Sequence, residues 1–97
     1  MNEATQVVLW QIPHVLFVRL DTGNYCLIVE GIEVNDYVED HLWDDYEYSA
    51  TNVSMDGPRS VPVYYNYLPA DLPLEPFLEA LGGLDAEVAD KIFRMSH

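Results

Sequence analysis

Three runs of strand-forming residues follow one another before position 30, and the two breaks between them constrain the fold more than any other feature. Gln6-Val7-Val8-Leu9-Trp10-Gln11-Ile12 is rich in β-formers and stops at Pro13, which has no N–H to give to a ladder. Val15-Leu16-Phe17-Val18-Arg19-Leu20 and Tyr25-Cys26-Leu27-Ile28-Val29 flank the short segment Asp21-Thr22-Gly23-Asn24. A loop of Asp, Gly and Asn between two such runs predicts a hairpin, with Gly23 free to take a positive φ. Thr5 to Val34 therefore reads as strands.

Helical spacing follows. Val34, Tyr37, Val38, His41 and Leu42 recur at i, i+3, i+4, i+7 and i+8. Asn35 suits an N-cap, and Asp36 would lie in the first turn against the positive end of the helix dipole. Tyr46 to Gly57 carries turn formers and reads as an irregular loop or a frayed strand. Ser60 to Leu68 reads as a strand, with Val61, Val63, Tyr65 and Tyr67 alternating onto one face. Pro73 and Pro76 suit a helix start, Leu74, Phe77, Leu78 and Leu81 its buried stripe, and Gly82-Gly83 its stop. A last helix follows from a cap at Asp85, with Leu84, Val88, Ile92 and Met95 on one face and Lys91 and Arg94 in its last turns. Strands first, helices last and no βαβ alternation predict an α+β fold. The expected architecture is one domain over residues 1–97: a small antiparallel sheet of 3–4 strands, an acidic helix and two C-terminal helices.

Charge narrows the function. The chain has 17 Asp and Glu against 4 Lys and Arg, a formal net of −13, although 49% of its residues are apolar and can form a core. That balance excludes a phosphate-backbone binder, which needs clustered Lys and Arg, and argues against docking on an anionic membrane. Between Arg19 and Arg59 there are 10 carboxylates and no Lys or Arg, and 8 of those acids fall between Glu30 and Glu47. At 100° per residue, Asp36, Glu39, Asp40, Asp44 and Glu47 share one helix face with Trp43 among them. Tyr37, Val38, His41 and Leu42 take the other face, and Asp45 falls on the apolar side. The like-charged pairs Asp36/Asp40 and Asp40/Asp44 each cost roughly 0.2–0.5 kcal/mol, with no cation nearby in sequence to relieve them. A solvated face usually interleaves signs, and a net charge of about 2–8 suffices for the solubility of a small domain. The segment therefore reads as a surface kept for a basic protein. Asp36, Glu39, Asp40, Asp44 and Glu47 are the expected charge partners, and Trp43, Tyr46 and Tyr48 the expected aromatic anchors.

In size, charge and the Glu30–Glu47 cluster, the chain resembles the small acidic inhibitors of phages and mobile elements. These include DNA-mimic antirestriction proteins and many anti-CRISPR proteins. The resemblance implies an inhibitor that occupies the basic nucleic-acid-binding surface of an effector. Acidic immunity proteins that neutralise bacterial nuclease toxins share the same physics and are the alternative.

Other chemistry is less well supported. Asp21-Thr22-Gly23 resembles the active-site triplet of aspartic proteases, and one chain of this length would be half of a dimeric retroviral-type enzyme. Asn24 stands where that family usually has Ser, Thr or Ala, and no glycine-rich flap follows. Glu39, His41 and Asp45 lack a Cys/His framework for a metal, and the acidic loop lacks the rhythm of an EF-hand. Cys26 lies mid-strand among apolar neighbours and reads as core. His14 follows Pro13 in a turn. Tyr64, Tyr65 and Tyr67 form an aromatic run without basic residues, which fits packing or a protein interface. The expectation is a cytoplasmic binding protein, not an enzyme, with no cofactor or metal, no direct nucleic-acid or membrane contact, and an open oligomeric state, homodimer included. One cysteine permits no internal disulfide, and the N-terminus lacks the basic region of a signal peptide.

Overall fold

A computed structural model describes residues 6–42, 46, 48–55 and 61–96. The elements follow as β1 (Gln6–Ile12), β2 (Val15–Leu20), β3 (Tyr25–Glu30), α1 (Ile32–Leu42), β4 (Ala50–Ser54), β5 (Val63–Leu68), α2 (Leu74–Leu81) and α3 (Ala86–Ser96). The strands form one sheet in the order β1-β2-β3-β5-β4, antiparallel at every neighbouring pair. The class is α+β, as the sequence predicts, with five strands in place of the expected three or four. Among the described residues no helix is long and apolar enough to cross a membrane.

The added strand is β4, within the stretch that reads as loop or frayed strand. Its residues are exposed or nearly so and carry little preference of their own. The free edge of β5 recruits them. The Ser49 N–H donates to Tyr67 O at 2.7 Å, and the Thr51 hydroxyl donates to Asn66 Oδ1 at 3.0 Å. Since β5 is antiparallel to both neighbours, β3 and β4 run the same way, joined through α1, with β5 inserted between them.

Three residues with positive φ shape the turns. Gly23 (φ 93) closes the predicted β2–β3 hairpin, and Gly31 (φ 89) turns β3 into α1. His14 (φ 71) follows Pro13 between β1 and β2, a conformation that costs energy for a non-glycine residue unless its surroundings fix it. They do so here. His14 Nδ1 meets Glu30 Oε1 at 3.0 Å, Nε2 meets Asp90 Oδ1 at 2.9 Å, and the ring stacks on Phe93 at 3.9 Å. Arg94 and His14 hold the Asp90 carboxyl below its ordinary range.

One face of the sheet carries the core. Phe17, fully buried, lies 5.6 Å from the Tyr25 ring and 5.0 Å from the Phe77 ring of α2. Val34, Val38 and Leu42 of α1, Leu81 of α2 and Ala89 of α3 close over Leu27, Val29 and Leu68.

Several sequence expectations need correction. α1 begins at Ile32, so Asn35 is no cap; it is buried inside the helix and accepts a hydrogen bond from Asn66 Nδ2 at 3.0 Å. On β5 the predicted alternation holds, with Val63, Tyr65 and Tyr67 on one face; the buried residues, Asn66 and Leu68, are on the other. Asn66 tolerates burial because both ends of its amide are satisfied. α3 is turned from the expected face: Ala89, Ile92 and Phe93 pack inward, whereas Val88 is 39% and Met95 78% exposed. In that orientation Phe93 stacks on His14. Asp85 caps α3 as predicted, Oδ1 accepting from the Glu87 and Val88 N–H groups at 2.8 and 3.2 Å. Gly82-Gly83 does end α2, yet Gly82 is right-handed (φ −62). At Gly83 a Cβ would lie 2.7 Å from His41 Nε2 and would force that ring to shift from Ala80 O.

Cys26 is buried in β3 on the face away from the helices, and burial pushes its thiol up to about 11 from 9.0. At pH 8 this lowers the thiolate fraction roughly a hundredfold relative to the unfolded chain. Thiol-reagent kinetics at pH 8 should show native labelling slower by about that factor than labelling in denaturant.

Candidate functional site

α1 divides into three flanks, each fixed by its neighbours. Val34, Val38 and Leu42, four apart, are buried against the sheet. Tyr37 and His41 dock on the connection before α3 and on the last turn of α2: the Asp85 N–H donates to the Tyr37 hydroxyl at 3.0 Å, and His41 Nε2 donates to Ala80 O at 2.9 Å. The remaining flank is acidic. Asp36 and Asp40 are exposed and Glu39 is half-buried.

This flank borders β5 and the segment before β4. Burial and the charges of Asp36, Glu33 and Glu39 raise the Tyr64 phenol above its ordinary range. Burial and Glu39 do the same to Tyr48. Tyr64 thus stands near the charges of three carboxylates. Val53 pairs with Tyr64 across β4 and β5, on the same face, and is 53% exposed. The result is an apolar contact next to an acidic row.

The expected site residues divide accordingly. Asp36, Glu39 and Asp40 come together on one flank. Trp43, Asp44 and Glu47 lie outside the described residues, as does Asp45. Tyr46 and Tyr48 are half-buried and packed on the core. The Tyr46 ring meets Phe77 edge-on at 4.9 Å, and the Tyr48 hydroxyl is buried without a hydrogen-bond partner among the described residues. Those two rings have an internal packing task, which the sequence could not separate from an anchoring one. Glu33, Tyr64 and Val53 join this flank beyond the residues that the sequence predicts. Glu33 is readable as one helical turn before Asp36, but the neighbours from β4 and β5 required the sheet register.

Asp36, Glu39 and Asp40 have no ion-pair partner among the described residues. Among the described residues, the ion pairs join His14 with Glu30 and Asp90, and Arg94 with Asp90; none involves Asp36, Glu39 or Asp40. No group of three metal-ligating side chains converges among those residues. The Asp21-Thr22-Gly23 triplet builds a hairpin turn, with the Gly23 N–H donating to Leu20 O at 3.0 Å. Comparison with family models, characterised proteins and solved structures finds no match.

Asp36 and Asp40 repel across one helical turn, and Asp40 also lies near the negative end of the helix dipole. Asp40→Lys should therefore stabilise the fold by about 0.5 kcal/mol or more, which for a chain of this size is a Tm increase of about 3 °C. Calorimetry that shows an unchanged or lower Tm would mean that the flank is already neutralised.

Proposed function

We propose that the chain is an acidic inhibitor that seats on the basic nucleic-acid-binding surface of another protein and keeps nucleic acid out, as anti-CRISPR and antirestriction proteins do. The supporting observation is the α1 flank: three carboxylates on a rigid helix, with no internal cation among the described residues. Asp36 and Asp40 are spaced about 6 Å along the axis, at about 1.5 Å per residue. Successive phosphates of one DNA strand rise about 3.4 Å each, so the row can occupy cationic positions that otherwise hold phosphates.

Magnitudes assign the roles. An exposed ion pair contributes about 0.2–1 kcal/mol, so three give at most about 3 kcal/mol, roughly two decades in affinity. That is enough to steer encounter and choose a partner, and too little to hold it alone. Apolar contact must add the rest, and Val53 beside Tyr64 is placed for it. In this reading the partner is a cytoplasmic nucleic-acid-binding effector or nuclease, and the chain performs no catalysis.

The test is competition with DNA on a panel of purified CRISPR effectors, restriction enzymes and nuclease toxins. For a partner so found, association should slow steeply between 0.1 M and 1 M salt, as the Debye length falls from about 10 Å to about 3 Å. The triple variant Asp36→Asn, Glu39→Gln, Asp40→Asn should lose roughly tenfold or more in association rate and most of the salt dependence. Binding that is indifferent to salt and to these substitutions, or that leaves DNA in place, would overturn the proposal.

A further inference from the structure

The sheet has a second apolar face. A sheet with one solvated face usually alternates apolar and polar residues, whereas strands covered on both sides read as continuous apolar runs. β2 and β3 are of the second kind. By the register, Leu16, Val18, Cys26, Ile28, Tyr65 and Tyr67 lie on the face opposite the helices. None of them belongs to the core beneath α1, α2 and α3 or packs against it. Val18 and Cys26 are buried, but Leu16, Ile28 and Tyr65 remain half-exposed around an open groove of about 470 Å³ that runs to Gln11 and Glu30.

We propose that this face packs against the same face of a second copy of the chain, forming a sheet-on-sheet homodimer. Charge placement selects the occupant. Among the described strand residues on this face, Glu30 alone is acidic, and it is already held by His14. Asp36, Glu39 and Asp40 of α1 are on the helical side. The helices cover the other face of the sheet, so stacking two copies sheet to sheet leaves the acidic helices on the outside, about 30 Å apart at about 10 Å per packed layer. That separation is several times the Debye length of about 8 Å at physiological ionic strength, so self-repulsion at this face is weak. A cationic partner, by contrast, would find little here to attract it.

The area is that of a small interface. Five strands about 4.8 Å apart and six residues of about 3.3 Å each span a footprint of about 480 Å² per copy. Two such footprints cover about 960 Å², near the lower limit for a specific interface, with the already buried Val18 and Cys26 adding little to it. The two sheets would interdigitate about 10 Å apart, with Tyr65 of each copy reaching the Leu16–Ile28 groove of the other.

Sedimentation equilibrium of the full chain, from micromolar concentration upward, tests this. The wild type should give a dimer. Ile28→Lys and, separately, Tyr65→Glu should give monomers whose circular dichroism remains native, while Asp40→Lys on the helical side should stay dimeric. Isotope-filtered NOEs between Tyr65 rings and Leu16 or Ile28 methyls of different copies provide a reading that needs no variant. A wild type that stays monomeric at high concentration, including one that binds an apolar dye at this face, would overturn the proposal. So would a dimer that survives both face substitutions or lacks those NOEs.

Discussion

A buried amide pair orients the rest of the molecule. Asn66 is fully buried on β5, donates to Asn35 inside α1 and accepts from Thr51 on β4. Leaving one of these groups unpaired would cost about 1–3 kcal/mol. The cost acts on two alternatives at once. Slipping β5 by one residue would turn Asn66 outward and carry Tyr65 and Tyr67 into the core. Turning α1 by one residue would take Asn35 away from the sheet. The same contact therefore places Val34, Val38 and Leu42 inward, Asp36 and Asp40 outward, and the Tyr65 ring on the far face.

Local signals were readable in the sequence where chemistry is local. Pro13 ends β1, Gly23 makes the hairpin, and Asp85 caps α3, because each acts on its own backbone within a few residues. The α2 stripe was also legible, since Phe77 and Leu81 have no competing polar use. Elements chosen by distant partners were not. β4 exists because β5 offers an edge, and in the helical phase that α3 adopts, Asp90 meets His14, 76 residues away. Asn35 looked like a cap because Asn caps helices often; only the buried amide of Asn66 explains its place in the helix interior. Of the candidate site, the sorting of Asp36, Glu39 and Asp40 onto one flank follows from helical spacing. The core packing of Tyr46 and Tyr48 does not.

Charge and apolar surface end up on opposite sides of one sheet. The helical side concentrates the carboxylates of Asp36, Glu39 and Asp40, unpaired among the described residues, beside the exposed Val53 and the Tyr64 ring. The other side is nearly free of charge among the described strand residues. A chain with a net charge of −13 can bring two copies together only where its acids are absent, and it can attract a cationic partner only where they are concentrated. The two proposed surfaces are compatible for this reason, and a dimer would display two acidic helices facing away from each other.

The orientation of α1 against β5 is the claim on which both surfaces depend, and a double-mutant cycle on Asn35 and Asn66, read by denaturant unfolding, tests it most directly. Asn35→Ala and Asn66→Ala should each cost about 2 kcal/mol, and the double variant should cost little more than either, a coupling of about 1 kcal/mol or more. Strictly additive costs would show that the amides do not share a bond and would contradict the account.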